Sequence, residues 1–428
     1  MAEAPAGKAR ALALQVFIAS WLSYAGLYCT RKVFSVVKGP IRDVLHVDDL
    51  RVSYLFTIYL VAYMVGMFVA AWLTRRMANR TVLLFGMGVS VACNVLLGLL
   101  LGAPRAWTYE AIAIVMGVQG LAQSTGWPCN IGLIALWTRR DQRGKVMALW
   151  GTCYLVGSVG ARALAAFLFG AFGLLWSFWG SAIVLAVVTA LFYFFVHETP
   201  ESCGLPAFDD EPEPAARIEA GAGADDAARP ALDRQRLSIL FAMGLIYFGF
   251  KFLRYAIDSW SVLIVTERFA MSTERAGYLT TIFDLVGFVG VIFAGWVSDR
   301  VGSRLAVSLA MTLGLVVATA FMWRFGLGSA TVFAATLAVV GFMGMGPDSL
   351  LAGAAAMDAG SRRQAAIGAA IINGCGSAGP IVQEPVLGWL KTTHGSSAIL
   401  LVLLGVACLS AMGVWGLWRH TRRLGIRV

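Results

Sequence analysis

The stretch "WLSYAGLYCTRKVFSVV" (21–37) sets two adjacent cations, Arg31 and Lys32, among apolar and small residues. A third, Arg254, lies in "FLRYAIDSWS" (252–261). Charge inside such runs is costly in hydrocarbon and marks a functional site by default. Arg162 and Lys251 stand at similar depth, as do the acids Asp258, Asp284, Asp348 and Glu384. A guanidinium fork matches phosphate bidentately and keeps its charge when partly buried. Two arginines without obvious anionic neighbours suit an anionic ligand. Five cations against four acids leave a positive cavity, which a dianionic phosphate neutralises. Asp258, one turn after Arg254, pairs either with it or with Lys32. The plainer alternative has Arg31 and Lys32 snorkelling to the outer interface, and Arg162 is as readily a structural cation as a site residue.

The elements that must position these residues follow from composition. The chain has 428 residues, 59% of them hydrophobic and 14% charged, against about 25% charged in soluble domains. Its mean hydropathy is +0.74. Runs of about 20 apolar residues are transmembrane helices, and twelve such runs occur: 11–38, 50–74, 81–101, 107–137, 144–170, 174–196, 237–265, 274–297, 304–324, 330–357, 363–390 and 396–418. The 47 glycines suit close helix packing in lipid. The reading is an all-α membrane protein of twelve transmembrane helices.

The net charge of +10 does not point to nucleic acid, because its distribution is that of a membrane protein. With the N-terminus inside, the inner loops, tails and central segment carry 21 Lys and Arg against eight on the outer loops. That asymmetry places both termini in the cytoplasm. No cleavable signal peptide is visible. The seven cysteines are scattered, which predicts reduced thiols.

Residues 198–236, rich in Pro, Ala, Gly, Asp and Glu, read as a cytoplasmic linker between an N-terminal bundle (1–197) and a C-terminal bundle (237–428), each of six helices. The halves echo each other. "AAWLTRRMANR" (70–80) follows the second run, and "AGWVSDRVGSR" (294–304) follows the eighth. Six spans repeated about a central loop are the architecture of the major facilitator superfamily, and Gly295 through Arg304 closely resembles its loop signature. In that motif Gly295 lets helices approach, Asp299 faces a helix N-terminus, and Arg300 and Arg304 pair across the cytoplasmic gate. The first copy departs from it, with Ala71 and Arg75 in place of the Gly and the Asp. Arg31 lies about 20 residues into the first run and Arg254 about 17 into the seventh. These runs open the two repeats, so the pseudo-twofold axis brings the two arginines together, near where such folds bind substrate.

Four segments narrow the resemblance. "YAGLYCTRKVFS" resembles the first helix of the organophosphate:phosphate antiporters, "GLAQSTGWPCN" (120–130) their fourth, "FLRYAIDSWS" their seventh and "GMGPDSLLAG" (344–353) their tenth. The resemblance implies exchange of a phosphate ester for inorganic phosphate by rocking of the two halves. It implies that Arg31 and Arg254 grip the phosphoryl group, and that Lys32, Asp258 and Asp284 form charge pairs that reorganise on binding. By their depth in the runs, Asp348 and Glu384 are further candidate coupling acids. Gln123 and Trp127 would line the cavity; Tyr24 and Tyr28 precede Arg31 on a similar face. The departures weigh against a glycerol-3-phosphate carrier. Tyr154 stands where those members carry His, and Met67 where they carry Lys. The Arg254–Asp258 spacing looks more like the hexose-phosphate branch, for which Lys251 and Asn373 are further binding candidates.

A phosphate ester, inorganic phosphate and the lipid bilayer are therefore the expected partners, for a monomer in a bacterial inner membrane. No cofactor, metal or nucleic acid is expected. No nucleophile–base pair suggests an enzyme. Two rival readings remain: a transporter-like sugar-phosphate sensor, and a proton-coupled organic-anion carrier.

Overall fold

A computed structural model describes residues 6–139, 143–206, 234–351 and 362–423. Fifteen α-helices run through them: α1 (Ala6–Val36), α2 (Lys38–Leu45), α3 (Asp49–Leu73), α4 (Asn79–Gly102), α5 (Thr108–Gln123), α6 (Gly126–Leu136), α7 (Arg143–Trp150), α8 (Thr152–Phe172), α9 (Leu174–Phe195), α10 (Arg234–Phe269), α11 (Thr273–Val301), α12 (Arg304–Phe325), α13 (Ala330–Ser349), α14 (Arg362–His394) and α15 (Ser396–Arg423). No strand occurs among the described residues. Hydrocarbon offers no partner for free backbone groups, so a spanning chain satisfies them within helices.

The fifteen helices make twelve crossings, because three crossings are interrupted. α1 passes into α2 at Val37, α5 into α6 at Ser124–Thr125, and α7 into α8 at Gly151. The break in the fourth crossing is local chemistry. The Ser124 and Thr125 hydroxyls donate back to the Leu121 and Ala122 carbonyls at 2.6 and 2.8 Å, competing with the helix ladder, and Pro128 lacks an N–H. Ten helices are long and apolar enough to span by themselves. The fourth crossing is not among them, since it is split, and neither is the eleventh, whose first side chains lie outside the described residues.

Packing repeats between the halves. α1 packs on α8 and α9, α3 on α5, and α4 on α9; in the second half α10 packs on α14 and α15, α11 on α13, and α12 on α15. Each pairing recurs at the corresponding helix, which is the two-fold pseudo-symmetry expected of six-helix halves. The halves meet through α3 on α14 and α8 on α11. The ordered chain of the first half continues to residue 206. Glu198 accepts the Asn79 and Arg80 backbone N–H groups at 2.8 and 2.7 Å, holding the start of α4, and Leu205 is buried. Most of the predicted linker lies outside the described residues.

On the face carrying the 37–48 loop, charged side chains tie the halves together. Arg42 bonds Asp49 at 3.0 Å and Glu267 at 2.5 Å, and Lys391 bonds Glu267 at 2.5 Å and Asp49 at 3.5 Å. Helix α2 and the ends of α3, α10 and α14 are thereby held together there.

Candidate functional site

Arg31 and Arg254 line one cavity between the halves, with Lys32, Asp258 and Asp284. Their settings differ. Arg31 Nε donates to Gln123 Oε1 at 3.1 Å. The same oxygen accepts from Tyr59 Oη at 2.9 Å, and Gln123 Nε2 donates to Thr30 Oγ1 at 2.9 Å. Gln123 is thus a fixed bracket, buried at the end of α5 where the helix breaks. Tyr28 and Tyr63 offer ring faces to the guanidinium, 5.0 and 4.7 Å away, a cation–π setting. Among the described residues Arg31 has no carboxylate partner, and its Nη2 is buried without a hydrogen bond. A buried donor without an acceptor costs about 1–3 kcal/mol, more when charged, and an anion removes that cost.

Arg254 is not without an anionic neighbour, contrary to the sequence reading. Its Nη1 bonds Asp348 Oδ2 at 3.1 Å, and Tyr154 presents its ring 5.7 Å away. Asp258 does not take Arg254. It bonds Lys32 and Arg162 together, and Arg162 also reaches Asp284 at 3.4 Å and Thr280 at 3.2 Å. Arg162, open in the sequence between site and structure, is 1% exposed and joins α8 to α10 and α11 across the halves.

Glu384 also moves. It is not a cavity acid: it pairs with Lys38 at 2.7 Å, both side chains being fully buried. Lys38 further donates to Ser259 at 3.0 Å and lies 3.5 Å from the Trp260 ring centroid. Sequence reasoning missed Lys38 because, as the last residue of the run 11–38, it looks like an outer-end charge. The signal was the isolated acid Glu384, flanked by Pro380 and Pro385, which needed a cation. With that pair set aside, five cations stand against three acids in the central layer among the described residues, an excess of two positive charges rather than one; Arg31, Lys32 and Arg254 line the cavity itself, against Asp258 and Asp284.

The remaining candidates lie around this centre. Tyr24 stacks away from Arg31, in a cluster with Trp127 and Trp150 at 5.4 and 5.5 Å. Trp127 is half-buried there and does not border Arg31's pocket. Lys251 Nζ is 3.4 Å from Ser377 Oγ and 4.9 Å from the Tyr247 ring. Asn373 is exposed on α14, and its carbonyl accepts from Ser377 Oγ at 2.8 Å. Tyr59, Tyr63 and Tyr255, which border the pocket, were not singled out from the sequence, although Tyr59 and Tyr63 share a helix face at i, i+4.

The loop motif differs in detail from its expected logic. A side chain at Gly295 would meet nothing, so the glycine makes no close approach; Gly290, one turn earlier, packs against the Phe342 carbonyl of α13. Asp299 and Arg300 are exposed, and Arg300 lies over the Trp296 ring of its own helix at 3.9 Å. Arg304 opens α12, and the Ser303 hydroxyl accepts the Ala306 N–H as its cap. Arg75 is exposed.

Two six-helix halves about a charged central cavity call for comparison with known carriers, and a profile described as "Major Facilitator Superfamily" matches residues 16–384. The chain belongs to this superfamily. Its relatives are named as glycerol-3-phosphate transporters, sugar phosphate exchangers and a membrane sensor. They include "Putative glycerol-3-phosphate transporter 3" of Arabidopsis thaliana, 27% identical over 93% of this chain and 85% of that protein. "Sugar phosphate exchanger 3" of Bos taurus is 26% identical over 89% and 87%. The "Membrane sensor protein UhpC" of Escherichia coli (strain K12) is 27% identical over 80% and 77%. Among solved structures, an inward-facing bacterial homologue of the human lysosomal transporter Spinster superposes with a TM-score of 0.74 at 14% identity, covering 96% of this chain and 98% of that one. A D-xylose–proton symporter superposes with 0.74 at 13% identity, over 94% and 97%. These structures share the fold.

Proposed function

We propose that this chain exchanges a phosphate ester for inorganic phosphate across a membrane by alternating access. The single observation that carries the reading is Arg31: a cation with no carboxylate partner among the described residues and a buried unbonded Nη2, facing a cavity lined by more cations than acids. A phosphoryl dianion supplies both the missing acceptor and the missing charge. Similarity to proteins described as a glycerol-3-phosphate transporter and a sugar phosphate exchanger supports the substrate class. Within it we favour a hexose phosphate. Tyr154 leaves the Arg254 pole without the imidazole of the glycerol-3-phosphate members, and Met67 replaces their lysine.

The carrier works by rocking the halves about the midplane site. Among the described residues the empty site leaves Arg31 and Lys251 without a carboxylate partner, which opposes closure around them; a bound anion removes that cost, and a ligand drives a change only by favouring one state. The arginine and lysine asymmetry supports both termini in the cytoplasm. Proteoliposomes loaded with phosphate and screened with external hexose phosphates and glycerol 3-phosphate test the reading. Counterflow is expected, with hexose phosphate preferred and slow uptake into vesicles lacking internal phosphate. Uptake at the exchange rate without internal anion would refute antiport.

A sensor is the second reading, favoured by the similarity to UhpC over most of this chain. It predicts ligand binding without counterflow in the same vesicles.

A further inference from the structure

The repeat-related arginines are not equivalent, and the difference is one residue. Arg31 is braced by a neutral amide and phenol rings. Arg254 already holds an anion, the Asp348 carboxylate, at 3.1 Å. That carboxylate is buried, with its side chain 8% exposed, while the arginine side chain is 27% exposed and open to the cavity. Among the described residues Asp348 Oδ1 has no hydrogen-bond partner, and Arg254 is the one cation paired with the acid. It follows Pro347 in the last turn of α13, where the missing proline N–H leaves the ladder one bond short.

We propose that Asp348 is a resident counter-anion for Arg254, which a phosphoryl oxygen displaces on binding and which retakes the arginine on release. The inference rests on the reading of this cavity as a phosphoryl site. A carboxylate tethered beside Arg254 competes with every incoming anion and repels it at short range, where charges interact strongly even at the effective dielectric of a protein. Affinity is thereby lowered at the one pole that already has its counter-charge, while Arg31 remains free to make the first contact. Transport needs a site that binds well enough to fill and weakly enough to empty, and Asp348 supplies the second requirement. Without it the central layer would carry three excess positive charges among the described residues in place of two. The competing explanation is a structural tie between α13 and α10. A tie predicts lower thermal stability on removal and no gain in affinity.

The test uses the full chain, purified and reconstituted, with inorganic phosphate as the probe. Asp348→Asn is expected to bind phosphate about tenfold or more tightly than wild type while phosphate:phosphate exchange slows, because release becomes limiting. Asp348→Ser is expected to do the same, and decides the matter if the Asn variant does not fold. In an Arg254→Gln background, Asp348→Asn is expected to lose its effect on affinity, which a structural role would not produce. Unchanged or weaker phosphate binding in both Asp348 variants overturns the proposal, as does tightening that survives Arg254→Gln. A wild-type protein that binds no phosphate overturns the site reading and this inference with it. A wild type that binds phosphate, with variants that do not tighten, overturns this inference alone.

Discussion

Two layers of the interface between the halves use the same residue types to opposite ends. Toward the 37–48 loop, Lys38 and Glu384 form a fully buried one-to-one pair, finished by Ser259 and the Trp260 face. In the central layer, Lys32, Arg162, Asp258 and Asp284 are cross-paired, Arg254 is matched by Asp348, and Arg31 and Lys251 are left without a carboxylate among the described residues. The first layer is balanced and dry, so it holds the halves together. The second is unbalanced and reachable, so it has work for a ligand. A charge inside an apolar run therefore has no meaning until its partner is known: buried charges stabilise nothing unless matched, and an unmatched one is a binding site in waiting.

The largest expected effect comes from unbalancing the dry layer. Glu384→Gln leaves Lys38 charged with no anion, and Lys38→Met leaves Glu384 likewise. Removing one partner of a buried pair costs about 3–5 kcal/mol, whereas replacing both with apolar residues is often neutral. Each single variant should unfold at clearly lower temperature in detergent, and Lys38→Met/Glu384→Met should recover most of the loss. A double variant no more stable than the singles would remove the distinction between the layers.

Arg31→Lys probes the other layer, with the effect moved from stability to binding. Lysine keeps the charge and loses the planar fork that meets phosphate, Gln123 and the tyrosine faces together. Loss of a charge-paired contact costs about 2–5 kcal/mol of binding, read as phosphate affinity by calorimetry, with thermal unfolding near wild type. Arg254→Lys should cost less, because Asp348 already offsets its charge. Near-normal affinity in both variants would end the phosphate-clamp reading.

A smaller effect is expected at Gln123→Leu. The change keeps volume but strips the acceptor shared by Arg31 Nε and Tyr59 Oη. An unsatisfied buried group costs about 1–3 kcal/mol, and a freed guanidinium loses its aim. Phosphate binding should weaken with little change in which ester is preferred, measured by competition. A change in preference without loss of affinity would place Gln123 at the organic group instead.

Much of this was legible in the sequence, and the failures share a cause. The twelve apolar runs, the repeat of "AAWLTRRMANR" in "AGWVSDRVGSR" and the placing of Arg31 and Arg254 at equivalent depth need only hydropathy and spacing, which are properties of one helix at a time. Which acid meets which cation is a property of two helices. Asp258 sits one turn from Arg254, yet it bonds Lys32 and Arg162 from the other half, because the interface between halves outweighs neighbourhood along a helix. Lys38 was hidden for the converse reason. Its position at the end of an apolar run is that of a snorkelling charge, and only the fold brings Glu384 from position 384 to meet it. The close helix approach credited to Gly295 belongs to Gly290, since a motif records which residues occur and not which turn faces the neighbour.

The smallest expected effect sharpens the comparison at the rim. Arg42, Asp49, Glu267 and Lys391 also pair two against two between the halves, with the exposed Asp43 beside Arg42 at 2.9 Å, so pairing alone would class them with Lys38 and Glu384. Their setting is different: the Glu267 side chain is 29% exposed, against none for Glu384. Water and salt screen such pairs, within a Debye length of about 8 Å at physiological ionic strength, and exposed ion pairs are worth about 0–1 kcal/mol. Lys391→Gln should accordingly lower the unfolding temperature only slightly, and the difference from wild type should shrink as salt rises from low to molar concentration. The deficit of Glu384→Gln should hardly respond to salt, because no ions reach that pair. If Lys391→Gln proves as costly as Glu384→Gln and equally indifferent to salt, then exposure is not what separates the layers, and the rim belongs to the same dry closure as the pair beneath it.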